Sequence, residues 1–298
     1  MAFPHFEALG ESRDKVGESP VWSVREQALY WVDIEGRAIR RHDWVSRRTW
    51  SWHVDERIGC IAMRVHGGLV AAMETGIFAV ELPQGEPHAR TTLLQGVVHP
   101  REGMRFNDGR LDRHGRLWVS TMVRDMSLAA PDGALFRFDA HGLSGPQVAG
   151  LITGNGLAFS PDGRIMYLSD SHPSVQRVWQ FDLGADGVPR NRREFIDMNA
   201  YPGRPDGAAI DVEGGYWTCG NDAGQVHRFF PDGRLDRSFS LPVSKPAMCS
   251  FGGPELDCLF VTSITPAVPA SGYEAALDGA VLMFRPGFKG LAESAFPN

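Results

Sequence analysis

Short alternating runs of apolar and polar residues recur along the whole chain: ALYWVDI, GLVAAM, RLWVSTM, IMYLSD, GYWTCG and CLFVTS. Each is rich in β-branched and aromatic residues and is bounded by turn formers, the pattern of a short strand. A second run follows most of them, as in AIRRHD, GIFAVEL, GALFRFD, RVWQFDL and QVHRFFPDG. No long stretch carries helical periodicity. The units recur roughly every 40 to 50 residues, the period of propeller blades, and six of them fill nearly the entire length. The pattern predicts an all-β chain, a six-bladed β-propeller built as a single domain over residues 1–298.

The units align through the glycine of the turn that precedes each central strand. Counting eight residues back from Gly115, Gly163 and Gly214 reaches Asn107, Asn155 and Asp206. In the first unit GESP places Glu18 at about the same point, and the remaining two units carry Gly59 and a residue near Met248 there. In a propeller the first strand of each blade lies innermost, so residues at one register form a ring around one mouth of the central channel. Asn-Gly, Asp-Gly and Pro-Asp-Gly are also common turn formers, and the stretch GMRFNDGRLDRHGRLW reads as two successive turns, at Asp108-Gly109 and His114-Gly115. Two features favour a converging site over plain turn chemistry. The oxygen donors recur in register, and Glu18 has no turn glycine after it.

Glu, Asn and Asp are hard donors suited to Ca²⁺, Mg²⁺ or Mn²⁺. Two carboxylates would be neutralised by one divalent ion, and three or four protein ligands leave positions open for water or substrate, as in catalytic sites. Loops between the second and third strands leave on the same face. Two are long, 122–133 and 264–279, and bring Asp125 and Tyr273 towards the mouth; shorter ones carry His172, Asn221 and Asp222. Of these loop residues only Asp125 is expected to be functional, the others being read as solvated.

Composition narrows the partners. With 43% hydrophobic and 22% charged residues the chain can bury a large core, and 34 glycines with 20 prolines fit a turn-rich β protein. The net charge of −6 gives no electrostatic reason to expect nucleic acid or an anionic membrane. The basic cluster Arg37, Arg40, Arg41, Arg47 and Arg48 is read as a solvated strand-and-turn surface. Cys60, Cys219, Cys249 and Cys258 lack metal or disulfide spacing and are expected as buried reduced thiols. No signal-peptide pattern opens the chain, and no apolar stretch approaches a membrane span. The expectation is a cytoplasmic protein with no membrane partner; nothing in the pattern specifies an oligomeric state.

Taken together, GESPVW, RFNDGRLDRHGRLW followed by STM, NGLAFSPDG, PDGAAIDVEGGYW and CSFGG resemble the SMP-30/gluconolactonase/LRE family, from about residue 15 to about residue 292. The resemblance implies a six-bladed propeller with one divalent metal at the channel mouth, held by Glu18, Asn155 and Asp206. It implies that Arg105 and Asn107 contact substrate and that an acid after the Ser120-Thr121-Met122 tripeptide, here Asp125, holds sugar hydroxyls. Ca²⁺ is the first candidate ion, with Mg²⁺, Mn²⁺, Zn²⁺ or Fe²⁺ as alternatives. The implied activity is hydrolysis of an aldonolactone, with Asp206 serving as catalytic base as well as ligand. The alternatives are a regucalcin-like Ca²⁺-binding regulator without relevant catalysis, or a propeller hydrolase acting on another ester.

Overall fold

A computed structural model describes residues 5–297. Six antiparallel sheets follow one another around a ring. Their innermost strands are Gly17–Ser23, Ile58–Met63, Met104–Leu111, Gly154–Phe159, Arg204–Ile210 and Pro246–Gly252, defining blades 1 to 6 in that order. These strands are buried almost throughout. The outermost strands, such as Arg90–Gly96 and Leu235–Ser240, are largely exposed. The predicted six-bladed β-propeller is the fold observed. No helix among the described residues is long and apolar enough to cross a membrane.

The hairpin after the inner strand has a local cause. In blade 5, Asp211 accepts the backbone N–H of Glu213 at 3.0 Å and of Gly215 at 2.8 Å, and the indole N–H of Trp217 at 2.8 Å. In blade 3, Asp112 does the same for His114 at 2.8 Å, Arg116 at 3.1 Å and Trp118 at 2.9 Å. One buried carboxylate thus ties the turn and anchors the tryptophan at the second position of the next strand. Trp118 and Trp217 are wholly buried in the apolar layers between blades. Each of six apolar clusters among the described residues joins one blade to the next, including blade 6 to blade 1 through Phe260, Val281, Trp22 and Trp31.

Ring closure uses both ends of the chain. Glu7–Ala8 pairs with Leu282–Phe284 as the outer strand of blade 6, a role that two residues without an alternating pattern do not announce in the sequence. Beyond Phe284 the chain crosses the far end of the channel. The carbonyl of Lys289 accepts from Val212 of blade 5 at 2.9 Å, and Phe296 donates to the Met63 carbonyl of blade 2 at 2.8 Å. Between them Glu293 pairs with Arg110 of blade 3, whose guanidinium also reaches the Ala208 carbonyl of blade 5 at 2.7 Å. Arg110 and this strap thus lie at the end where the inner strands finish, opposite the end where they begin.

Two expectations need amendment. Asp108-Gly109 is not a turn but lies inside the strand Met104–Leu111. The basic cluster is only partly solvated. Arg40 pairs with the fully buried Asp14, which also takes the Trp31 indole N–H at 2.7 Å, while Arg41 lies over the Tyr30 and Trp50 rings. Successive residues of AIRRHD point to opposite faces of the sheet, which gives the two half-buried arginines Arg40 and Arg41 different partners. All four cysteines are buried and free, as expected.

Candidate active site at the channel mouth

Every innermost strand breaks its pairing register near its mouth end, with one residue more than its partner strand. Such bulges locally bend a strand and re-aim its side chains. Glu18 and Asn155 are the last paired residues before their breaks, and Asn107 and Asp206 are the first within theirs. Each of the four is more than nine-tenths buried. The remaining positions carry no polar side chain, being Gly59 in blade 2 and Ala247-Met248 in blade 6. At Gly59 a Cβ would stand 2.4 Å from the Asn107 carbonyl oxygen, so the bulge of blade 3 requires glycine there.

A continuous hydrogen-bond chain links three of these positions. Arg105 Nη1 donates to Asn107 Oδ1 at 2.7 Å and to the Phe106 carbonyl at 2.9 Å. Asn107 Nδ2 donates to Asn155 Oδ1 and to the Gly154 carbonyl, both at 3.0 Å. Asn155 Nδ2 donates to Ser171 Oγ at 2.6 Å, and Ser171 donates to the Pro205 carbonyl, one residue before Asp206. Asp206 Oδ2 in turn accepts from Asn221 Nδ2 at 2.6 Å. The backbone is braced between blades at the same level. Ser19 Oγ accepts from Ile61 N at 2.9 Å, Asp108 Oδ2 accepts from Leu157 N at 3.0 Å, and the Tyr216 hydroxyl donates to the Gly156 carbonyl at 2.9 Å.

The acids are held in unfavourable surroundings for charge. Burial pushes the Glu18 carboxyl well above the usual range, and the fields of Asp206 and Asp108 add to it, against the Ser19 N–H and Arg105. Asp206 is pushed up to about 7, chiefly by burial, against Arg204 and the Asn221 amide. Asp108 is raised by burial and opposed by the Leu157 N–H. Burial also lowers Arg105, with Glu35 and Glu18 opposing. Asp108 Oδ1, Asn221 Oδ1 and Arg105 Nε are buried without a hydrogen-bond partner among the described residues, and buried polar atoms without partners are costly.

The structure thus brings together Glu18, Asn107, Asn155, Asp206 and Arg105. It does not bring Asp125 into this cluster. Asp125 is exposed and caps the short helix Met126–Leu128, accepting from Ser127 N at 2.9 Å and Ser127 Oγ at 2.6 Å, which lowers its carboxyl. Tyr273 packs against Gly224, and His172 engages Ser174 at 2.8 Å. Asp222 pairs with Arg204 and Lys245. Asn221, read from sequence as solvated, is a buried partner of Asp206 instead. Sequence reasoning missed Ser171 altogether and took Asp108 only as a turn residue. The available signal was positional: Ser171 and Asn221 stand where second strands reach the mouth, Asn221 as the last residue of Tyr216–Asn221 and Ser171 just after Ile165–Asp170.

Among the described residues, no three His, Cys, Asp or Glu side chains are arranged to hold a metal ion. The mouth instead offers two carboxylates with amide oxygens, a hard donor set whose charges repel one another.

Comparison with known proteins matches residues 16–265 to the SMP-30/Gluconolactonase/LRE-like region. A 6-deoxy-6-sulfogluconolactonase of Pseudomonas putida is 37% identical over 289 residues, covering 94% of both chains. A regucalcin of Danio rerio is 31% identical over 258 residues, covering 86% of this chain and 85% of its own. Among solved structures, a luciferin-regenerating enzyme superposes with a TM-score of 0.90 at 26% identity, covering 99% of this chain and all of the other. With the motifs, the six blades and these relatives in agreement, the chain belongs to the SMP-30/gluconolactonase/LRE-like family.

Proposed function

We propose that this protein hydrolyses a sugar lactone to the corresponding aldonic acid, aided by one divalent cation at the channel mouth. The observation that carries the reading is the convergence of Glu18, Asn155 and Asp206, each more than nine-tenths buried where the inner strands begin, at the end opposite the C-terminal strap. Membership of the family and the 37% identity to a sulfogluconolactonase support the substrate class.

The residues fit a cation. Glu18 and Asp206 are acids whose burial and mutual proximity disfavour charge, and a divalent ion removes that penalty. The donors are all oxygen, which suits Ca²⁺ first and Mg²⁺, Mn²⁺, Zn²⁺ or Fe²⁺ as alternatives. Glu18, Asn155 and Asp206 would hold it, and when bound it supplies Lewis-acid polarisation of the lactone carbonyl.

The chain's own groups account for the remaining chemistry. Arg105 presents an unpartnered Nε, and its hydrogen bonds go to an amide and a carbonyl rather than to a carboxylate. It is assigned, with Asn107, to the hydroxyls of the sugar ring. Asp206 is assigned the proton of the attacking water. Water oxygen bonds to the carbonyl carbon as its proton passes to Asp206, the ring C–O bond breaks, and the leaving ring oxygen takes that proton back from Asp206 to become the new hydroxyl. Asn221 keeps one Asp206 oxygen engaged, leaving the other for this exchange. Asp125, on the loop that leaves the mouth after Leu117–Val123, is assigned the hydroxyls farthest from the carbonyl.

The test follows proton release on glucono-, galactono-, arabinono- and xylonolactone with a pH indicator. Opening well above the spontaneous rate on one of them is expected. No acceleration on any would favour the Ca²⁺-binding regulator, a reading that the regucalcin relative keeps open.

A further inference from the structure

The hydrogen-bond chain from blade 3 to blade 5 has a fixed direction. A guanidinium can only donate, so Arg105 must meet the oxygen of the Asn107 side chain. That turns Nδ2 of Asn107 towards Asn155, which must answer with its own oxygen. Nδ2 of Asn155 then faces Ser171, whose single hydroxyl proton is left for the Pro205 carbonyl. A carbonyl can only accept. The chain therefore begins at an obligate donor and ends at an obligate acceptor, and each amide between them has one allowed orientation.

From this we infer that Ser171 is a positioning residue for the cation site: its hydroxyl holds the Asn155 amide so that Oδ1 faces the ring and its free lone pair is presented to the ion. Ser171 touches neither substrate nor ion. It lies just past the second strand of blade 4, is almost wholly buried, and is further fixed by its own N–H on the Thr153 carbonyl at 2.9 Å. Replacing the hydroxyl with hydrogen strands Asn155 Nδ2 and the Pro205 carbonyl, and lets the amide sample the orientation that offers nitrogen to the cation. Removing groups that orient a metal ligand typically weakens metal affinity roughly 10- to 100-fold. Ser169, two residues upstream and equally buried, supplies the contrast, because its hydroxyl has no partner among the described residues.

The inference rests on the proposed cation site, and the experiment separates the two. Chelator-treated full-length protein is titrated calorimetrically with Ca²⁺ alone for wild type, Ser171→Ala, Ser171→Thr and Ser169→Ala, with thermal midpoints measured beside each. Ser171→Ala is expected to bind at least roughly tenfold more weakly. Ser171→Thr, which keeps the hydroxyl, should restore most of that loss, and Ser169→Ala should match wild type. Equal affinity in Ser171→Ala and wild type overturns the inference, as does a Ser171→Thr variant as weak as Ser171→Ala. In the ion-free protein, NMR exchange of the Asn155 side-chain amide protons should be slow in wild type and fast in Ser171→Ala; equally slow exchange in both overturns it without reference to any ion. A wild-type protein that binds neither Ca²⁺ nor, titrated in turn, Mg²⁺, Mn²⁺, Zn²⁺ or Fe²⁺, while showing that difference in exchange, would leave the orienting role standing and remove the cation reading.

Discussion

Asn221 Nδ2 lies 2.6 Å from Asp206 Oδ2, a buried amide donating to a buried acid within one blade. Hydrogen bonds to a charged group contribute roughly 1.5–3 kcal/mol. Asn221→Ala should therefore lower kcat/KM about tenfold to a hundredfold while the propeller stays folded. Steady-state kinetics beside a thermal melt decide this. Unchanged kcat/KM would show that Asp206 does not depend on its neighbour.

Glu18 and Asp206 have the opposite expected effects on binding and on stability. Each is a buried acid raised by its surroundings. Glu18→Gln and Asp206→Ala should abolish ion binding and lactone opening. In ion-free protein, Glu18→Gln should also raise the melting temperature at pH 8, because a buried charge is removed with little change in shape. Calorimetric titration and melting curves in chelator check both halves. A lower melting temperature for Glu18→Gln would mean that the acid is already compensated within the fold.

The pH dependence of the ion-free protein follows in sign from the same two groups. A carboxyl whose pKa is raised on folding favours the native state most at low pH, below its unfolded value of about 4. That contribution is lost as pH rises through the folded value, about 7 for Asp206. Chelated protein should melt a few degrees lower at pH 8 than at pH 5.5, since roughly 1 kcal/mol moves a chain of this size by about 1.5–2 °C. Saturating Ca²⁺ should shrink the difference. A melting temperature flat with pH in chelator, in wild type and Asp206→Asn alike, would contradict the burial argument.

Arg105 separates substrate contact from ion holding. Its guanidinium reaches Asn107 and a carbonyl but neither Glu18 nor Asp206 by a direct hydrogen bond. Arg105→Ala should leave Ca²⁺ affinity within a few-fold, because the Gly154 carbonyl still orients the Asn107 amide. Turnover should fall roughly tenfold to a hundredfold, the scale of a lost hydrogen bond from a charged group. Loss of ion binding in this variant would reverse the assigned roles.

Much of this was legible in the sequence, for reasons visible in particular residues. The hairpins announced themselves through their turn glycines and the β-forming runs on either side, and the structure adds that Asp112 and Asp211 tie those turns to the following tryptophans. Glu18, Asn107, Asn155 and Asp206 could be found because each blade repeats its register to within one residue at the bulge, so sequence offset stands in for position around the channel. Asp108-Gly109 misled because a bulge leaves no compositional trace and an Asp-Gly pair reads as a turn. Asn221 and Ser171 were hidden for a different reason. A polar residue at a strand end looks solvated until the neighbouring blade is placed over it, and only then is it buried. Asp125 shows the converse: its loop leaves from the mouth side, yet its carboxylate stays exposed outside the buried cluster, with one oxygen taken by Ser127 and the other free for a ligand.

The most direct test of the central claim is lactone opening by chelator-stripped protein, with Ca²⁺, Mg²⁺, Mn²⁺, Zn²⁺ or Fe²⁺ added back in turn and Asp206→Ala as background. Stripped wild-type protein should open the lactone only at the spontaneous rate and recover with at least one ion, and Asp206→Ala should recover with none. Full activity in the stripped wild type, or recovery in Asp206→Ala, would contradict it.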